Sequence, residues 1–150
     1  MELKFRVFGR VAKPVAEVFE AVVDPASLSA FFTTGGAVGR LEKGATVTWD
    51  FADFPGAFPV QVVEVVTPEK IVLRWPSNEA GASGQETEVT MIFSDTGDGR
   101  TLVEISETGW GANQSGLKAS YGNCMGWAQM VCALKLWVER KINLREGMYV

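Results

Sequence analysis

Three polar side chains in this sequence sit where they could do chemistry in apolar surroundings: Glu107, Tyr121 and Asn123. Glu107 belongs to TLVEISETGW, residues 101–110, and shares strand parity with Val103 and Ile105. That parity turns its carboxyl toward the interior. A buried carboxyl without full compensation has a raised pKa. It can then orient a ligand hydroxyl, or serve as general acid or base. The other reading is a carboxylate at an open mouth, bonded to water or to Asn123. Tyr121 and Asn123 lie two apart on a long helical segment. They can meet the same ligand or hydrogen-bond across to a sheet. Glu107 with Tyr121 is the one pair that fits acid–base work.

The sequence has no histidine. A Ser-His-Asp or Cys-His relay is excluded, and the commonest metal ligand is missing. No metal site and no cofactor are expected. There is no GxxxxGK[ST] and no GxGxxG. The glycines Gly109, Gly111 and Gly116 of GWGANQSG are spaced for a turn rather than a phosphate cradle. Asn113-Gln114-Ser115 matches a glycosylation sequon, expected to be idle because MELKFRVFGR has no apolar core of a signal peptide.

The segment that must carry Tyr121 and Asn123 is residues 115–141, SGLKASYGNCMGWAQMVCALKLWVERK. Apolar residues recur at Leu117, Tyr121, Cys124, Trp127, Val131, Leu134, Val138 and Ile142. This spacing predicts one stripe of an amphipathic helix about 40 Å long. Cys124 and Cys132 then stand about 12 Å apart along the axis, too far for a disulfide. Free thiols fit a cytoplasmic protein.

The rest reads mainly as strands. Leu3, Phe5, Val7 and Val11 alternate with Lys4 and Arg6. Pro14 starts a helix carrying Val15, Val18, Phe19, Val22 and Val23. Asp24-Pro25 ends it and caps a second short helix with Leu28, Phe31 and Phe32 inward. Thr34-Gly35-Gly36 breaks that helix. Strands follow at Thr46–Phe51, Phe58–Val66, Ile71–Trp75, Thr87–Phe93 and Thr101–Gly109. Residues 77–84 form a polar loop, and Asp95–Gly99 (DTGDG) a hairpin turn. Short connections imply antiparallel pairing. The expected fold is α+β: a curved antiparallel sheet of about six to seven strands wrapped around the closing helix, in one domain over 1–150.

Composition agrees. Apolar residues make up 47% and charged residues 21% of the 150, with a net charge of −4. That is a globular balance with no basic run, which argues against nucleic acid. No apolar run reaches the ~20 residues of a membrane span.

Four stretches together carry a family resemblance. Val15–Ala21 with Asp24-Pro25, Val62–Trp75, Thr101–Trp110, and Asn123–Trp127 with Leu134–Glu139 resemble, in order and spacing, the helix-grip, START-like superfamily (SRPBCC). Within it they are similar to the group related to the C-terminal domain of the activator of Hsp90 ATPase. One departure is Phe31-Phe32, where the family often has Trp-Trp; the bulk stays and the indole donors go. A second is that these 150 residues hold no counterpart of the N-terminal domain through which the eukaryotic co-chaperone engages its partner.

The resemblance implies a cavity between sheet and helix that holds a small apolar or amphipathic molecule. The inward residues expected to line it are Trp49, Phe51, Leu73, Trp75, Met91, Phe93, Glu107, Tyr121, Asn123 and Trp127, with Met130 beside them. Aromatic and Met side chains suit a ligand pocket and equally suit a solid core. The alternatives the resemblance implies are a cyclase, dehydratase or hydrolase on a polyketide-like substrate, and a chaperone-interacting module. The tail Leu144–Val150 is apolar enough to pack on the sheet edge or on a second copy, so a homodimer is a further expectation.

Overall fold

The computed structural model describes residues 1–149. The element order is β1 (Leu3–Val11), α1 (Val15–Val23), α2 (Pro25–Phe31), β2 (Gly36–Val38), β3 (Thr46–Phe51), β4 (Phe54–Val66), β5 (Lys70–Pro76), β6 (Glu86–Asp95), β7 (Thr101–Trp110) and α3 (Gln114–Arg140). This is the expected α+β helix-grip architecture. The strands form one antiparallel sheet in the order β1-β7-β6-β5-β4-β3-β2. The chain therefore crosses from one sheet edge to the other through α1 and α2, then meanders back until β7 pairs with β1.

Local chemistry explains the crossing. The Asp24 side chain accepts from the Ala26 N–H at 3.0 Å, and Pro25 opens α2. Two helices thus follow each other with a sharp change of direction. Val18, Phe19 and Val22 from α1 and Leu28 and Phe31 from α2 are buried against the sheet. The short β2 and the extension of β4 back to Phe54 escape sequence reading, because neither shows alternation.

Helix α3 lies chiefly across β1 and β7. Close approach is possible because β1 has Gly9, where a Cβ would come within 2.7 Å of the Val131 methyl. The start of α3 is tighter still. A Cβ on Gly116 would stand 1.9 Å from the Gly111 carbonyl oxygen. Asn113 caps the helix by accepting from the Gly116 N–H at 2.9 Å.

The apolar stripe of α3 needs one correction. Trp127, Val131, Leu134 and Val138 are buried as expected, but Tyr121 is 66% and Ile142 53% exposed. Leu117 and Cys124 are only half-buried. Upstream of Trp127 the inward line runs instead through Gly116, Ala119 and Ser120. Small residues face inward there because the helix is clamped on the 77–79 loop: Asn78 donates to the Ala119 carbonyl at 3.0 Å. Lys141, in the left-handed region at φ 56°, ends the helix before Ile142 can continue the stripe.

Candidate functional site

The middle of the sheet positions the site. Along β6 the inward residues run Thr87, Val89, Met91, Phe93, all buried. Register places Glu107 opposite Val89 and Val89 opposite Leu73, so Glu107 and Leu73 share one row. Trp75 pairs with Thr87 one row further on.

Glu107 is 1% exposed and both of its oxygens are occupied. Oε2 accepts from the Thr87 hydroxyl at 2.6 Å and the Trp75 indole N–H at 2.9 Å. Oε1 accepts from the Trp127 indole N–H at 2.8 Å. The Asn123 amide donates to both oxygens, at 3.1 and 3.0 Å. Burial pushes the carboxyl above its ordinary range, while the bonds from Thr87, Trp75, Trp127 and Asn123 pull the other way. No cation stands among its partners. With its acceptor sites filled by protein donors, Glu107 is built to hold two indoles and an amide in place. It joins β5, β6 and α3 at one point.

Those indoles belong to a larger ring cluster. Trp127 lies 5.4 Å from Trp75 and 5.3 Å from Phe32, centre to centre. Trp49 meets Trp75 edge-on at 5.8 Å and Phe32 at 5.5 Å. Phe51 contacts Phe32 at 5.0 Å and Phe58 at 5.9 Å. These are the separations of packed aromatic pairs. The space between α3 and strands β3–β5 is thus filled with rings at these positions, where an open hollow was expected. The filling is uneven. Trp49 and Trp127 are shielded, whereas Phe51, Phe58 and Trp75 are only half-buried. Trp49 Nε1 is buried with no acceptor among the described residues.

An open cavity of about 240 Å³ adjoins the cluster. Phe31 and Phe32 at the end of α2 form one wall, and Asn143, Arg145 and Tyr149 of the tail another. Phe32 belongs to both cavity and cluster. Arg145 is 6% exposed, with its guanidinium 5.3 Å from the Phe32 ring, 5.6 Å from Phe51 and 4.7 Å from Tyr149. The tail thereby folds back onto α2 and the end of β3, and Tyr149 hydroxyl donates to Gln129 on α3. Val150 lies outside the described residues.

Of the residues expected to line a site, the structure brings together Trp49, Phe51, Trp75, Glu107, Asn123 and Trp127. Leu73 and Met91 are core neighbours along the same face. Phe93 stands apart, edge-on to Phe19 of α1 at 5.1 Å. Tyr121 faces solvent, which removes the Glu107–Tyr121 acid–base pair. Sequence reading overlooked Phe58, Thr87 and Arg145 as site residues. Thr87 had a signal, since it shares parity with Val89 and Met91; Arg145 had none.

A second polar group closes the same end of the fold. Glu79 accepts from the Gly111 N–H at 2.9 Å and the Ser115 hydroxyl at 3.0 Å, and these bonds, Gly111 first, hold its carboxyl below the usual range. Asn78 accepts from the Trp110 indole at 3.0 Å. Both residues come from the polar loop and fasten the start of α3. Among the described residues, no cluster of three His, Cys, Asp or Glu could hold a metal ion, and no helix is long and apolar enough to cross a membrane.

A sheet clasping one long helix around an aromatic interior defines the helix-grip class. Within it, the chain belongs to the family described as activator of Hsp90 ATPase homolog 1-like protein, whose model matches residues 12–139. No curated protein matches the sequence. Among solved structures it is similar to protein SSP2350 from Staphylococcus saprophyticus, with TM-score 0.76, 24% identity, and 95% of this chain and 96% of that one covered. DynU16, a putative protein in the dynemicin biosynthetic locus, gives TM-score 0.76 and 26% identity over 92% of this chain and 48% of its own. The Aha1 dimer from Colwellia psychrerythraea gives 0.74 and 15%, with 92% and 97% covered.

Proposed function

We propose that the protein binds a small amphipathic molecule, which enters from the α2–tail side and reaches the aromatic cluster that Glu107 organises. One observation carries this reading: an open cavity shares Phe32 with a cluster whose outer rings are only half-buried and whose Trp49 N–H lacks an acceptor. A buried donor left unbonded costs about 1–3 kcal/mol. An acceptor atom on a ligand relieves that cost. Flat aromatic walls with few polar groups are what small-molecule sites use. At about 240 Å³ the cavity is smaller than the roughly 300–1,000 Å³ of most small-molecule sites, so uptake of anything larger requires the half-buried rings Phe51, Phe58 and Trp75 to turn aside.

The family to which the chain belongs is consistent with ligand binding. Catalysis fits less well, since Glu107 is saturated by protein donors and Tyr121 is remote. The test is titration of the full chain with anilinonaphthalene sulfonate, followed by native mass spectrometry of freshly purified protein. Saturable dye fluorescence at one equivalent, with or without a co-purified small molecule, is the expected result. A dye signal that never saturates, together with a bare protein mass, would remove the reading.

A further inference from the structure

The α2–tail cavity holds a cation, Arg145, whose guanidinium donates no hydrogen bond among the described residues. Arg145 is 94% removed from solvent, since only 6% of it is exposed. Its Nε is buried with no acceptor among the described residues. The ion pairs among the described residues involve other cations: Lys4, Arg6, Arg40, Lys70, Arg74, Arg100 and Lys135. Three rings surround the guanidinium at 4.7–5.6 Å. Ring faces offset part of the cost of burying a cation, but they accept no N–H in the guanidinium plane. A planar fork of donors beside an apolar wall is matched by a carboxylate or another planar oxyanion.

From this geometry we infer that the cavity between α2 and the C-terminal tail is a binding site for the anionic head of a monoanionic amphipathic molecule, with Arg145 as its anchor. This rests on the ligand-binding reading and names the chemistry of the ligand. The carboxylate takes the guanidinium donors. The apolar body lies on Phe31 and Phe32, pointing toward the ring cluster. Thr34, on the same cavity wall, accepts the Ala52 N–H at 2.8 Å and keeps its own hydroxyl proton to donate. Glu146 also borders the cavity and is exposed. Its charge opposes a second negative group, which restricts the ligand to one.

The test compares acid with amide. Phenylacetate and octanoate, each beside its neutral amide, are titrated into the full chain while backbone amides are followed by NMR. The acids should give saturable shifts at Ala30, Ala52 and Gly147, with at least ~10-fold tighter binding than the amides. In R145Q the acids should lose that advantage and bind no better than the amides. The acid–amide comparison on the unaltered chain keeps the inference testable even where R145Q fails to fold. Acid and amide binding equally at these positions would overturn the anionic site and leave ligand binding standing. Absence of any saturable shift from all four probes would overturn both.

Discussion

The Trp127 indole N–H donates to Glu107 Oε1 at 2.8 Å, from the middle of α3 to the seventh strand, with both side chains at most 2% exposed. Trp49, 0% exposed, lies only 6.4 Å from Trp127 by ring centres yet its own N–H has no acceptor. Two neighbouring indoles of one cluster are therefore in opposite states of satisfaction.

This contrast predicts unequal costs for the same substitution. W127F and W49F remove similar ring area, but only W127F takes a donor from a buried carboxyl. W127F should destabilise the fold by about 1–3 kcal/mol more than W49F in urea unfolding. Equal losses would show that the Glu107 bond carries no net stability.

The raised pKa of Glu107 has a pH signature. The folded chain holds this proton more tightly than the unfolded one. The stability it contributes is fully present below the unfolded pKa of about 4.3, and is lost as pH rises through the folded value. E107Q cannot titrate, and the other groups cancel in the difference. The stability of the unaltered protein minus that of E107Q should therefore fall as pH rises above about 4.3. A difference that grows with pH would mean that the four donors outweigh desolvation.

Glycines of α3 separate close packing from propensity. G116A drives a methyl into the Gly111 carbonyl, which is backbone and cannot swing away, and should cost about 2–3 kcal/mol. A Cβ on Gly126 meets nothing within 4 Å, so G126A should stabilise the helix by about 0.5–1 kcal/mol. Thermal unfolding of both variants checks the pair. A harmless G116A would contradict the tight start of α3.

Much of the fold was legible because periodicity reports which face of an element is buried. Alternation placed Glu107 inward on β7, and Asp24-Pro25 fixed the break between α1 and α2. Periodicity is silent on what arrives over that face. Tyr121 fitted the α3 stripe by spacing, but the 77–79 loop occupies that end of the helix, so Ala119 and Ser120 turn in and Tyr121 turns out. Glu79 and Asn78 read as solvated loop residues, because their partners Gly111, Ser115, Trp110 and Ala119 are more than thirty positions away. Arg145 had no local pattern to mark it; its burial follows from the tail folding onto Phe32 and Phe51. The aromatic set was readable as apolar and inward, while its contacts, ring against ring, depend on three elements meeting.

A small molecule that reaches the ring cluster meets Trp49. The indole N–H signals of the five tryptophans in a heteronuclear NMR spectrum report this directly. On titration with phenylacetate, whose carboxylate is held at Arg145, the Trp49 signal should shift as the phenyl ring packs against the cluster, while that of Trp110, bonded to Asn78, stays fixed. A Trp49 signal unmoved at saturating phenylacetate would mean that no ligand reaches the ring cluster.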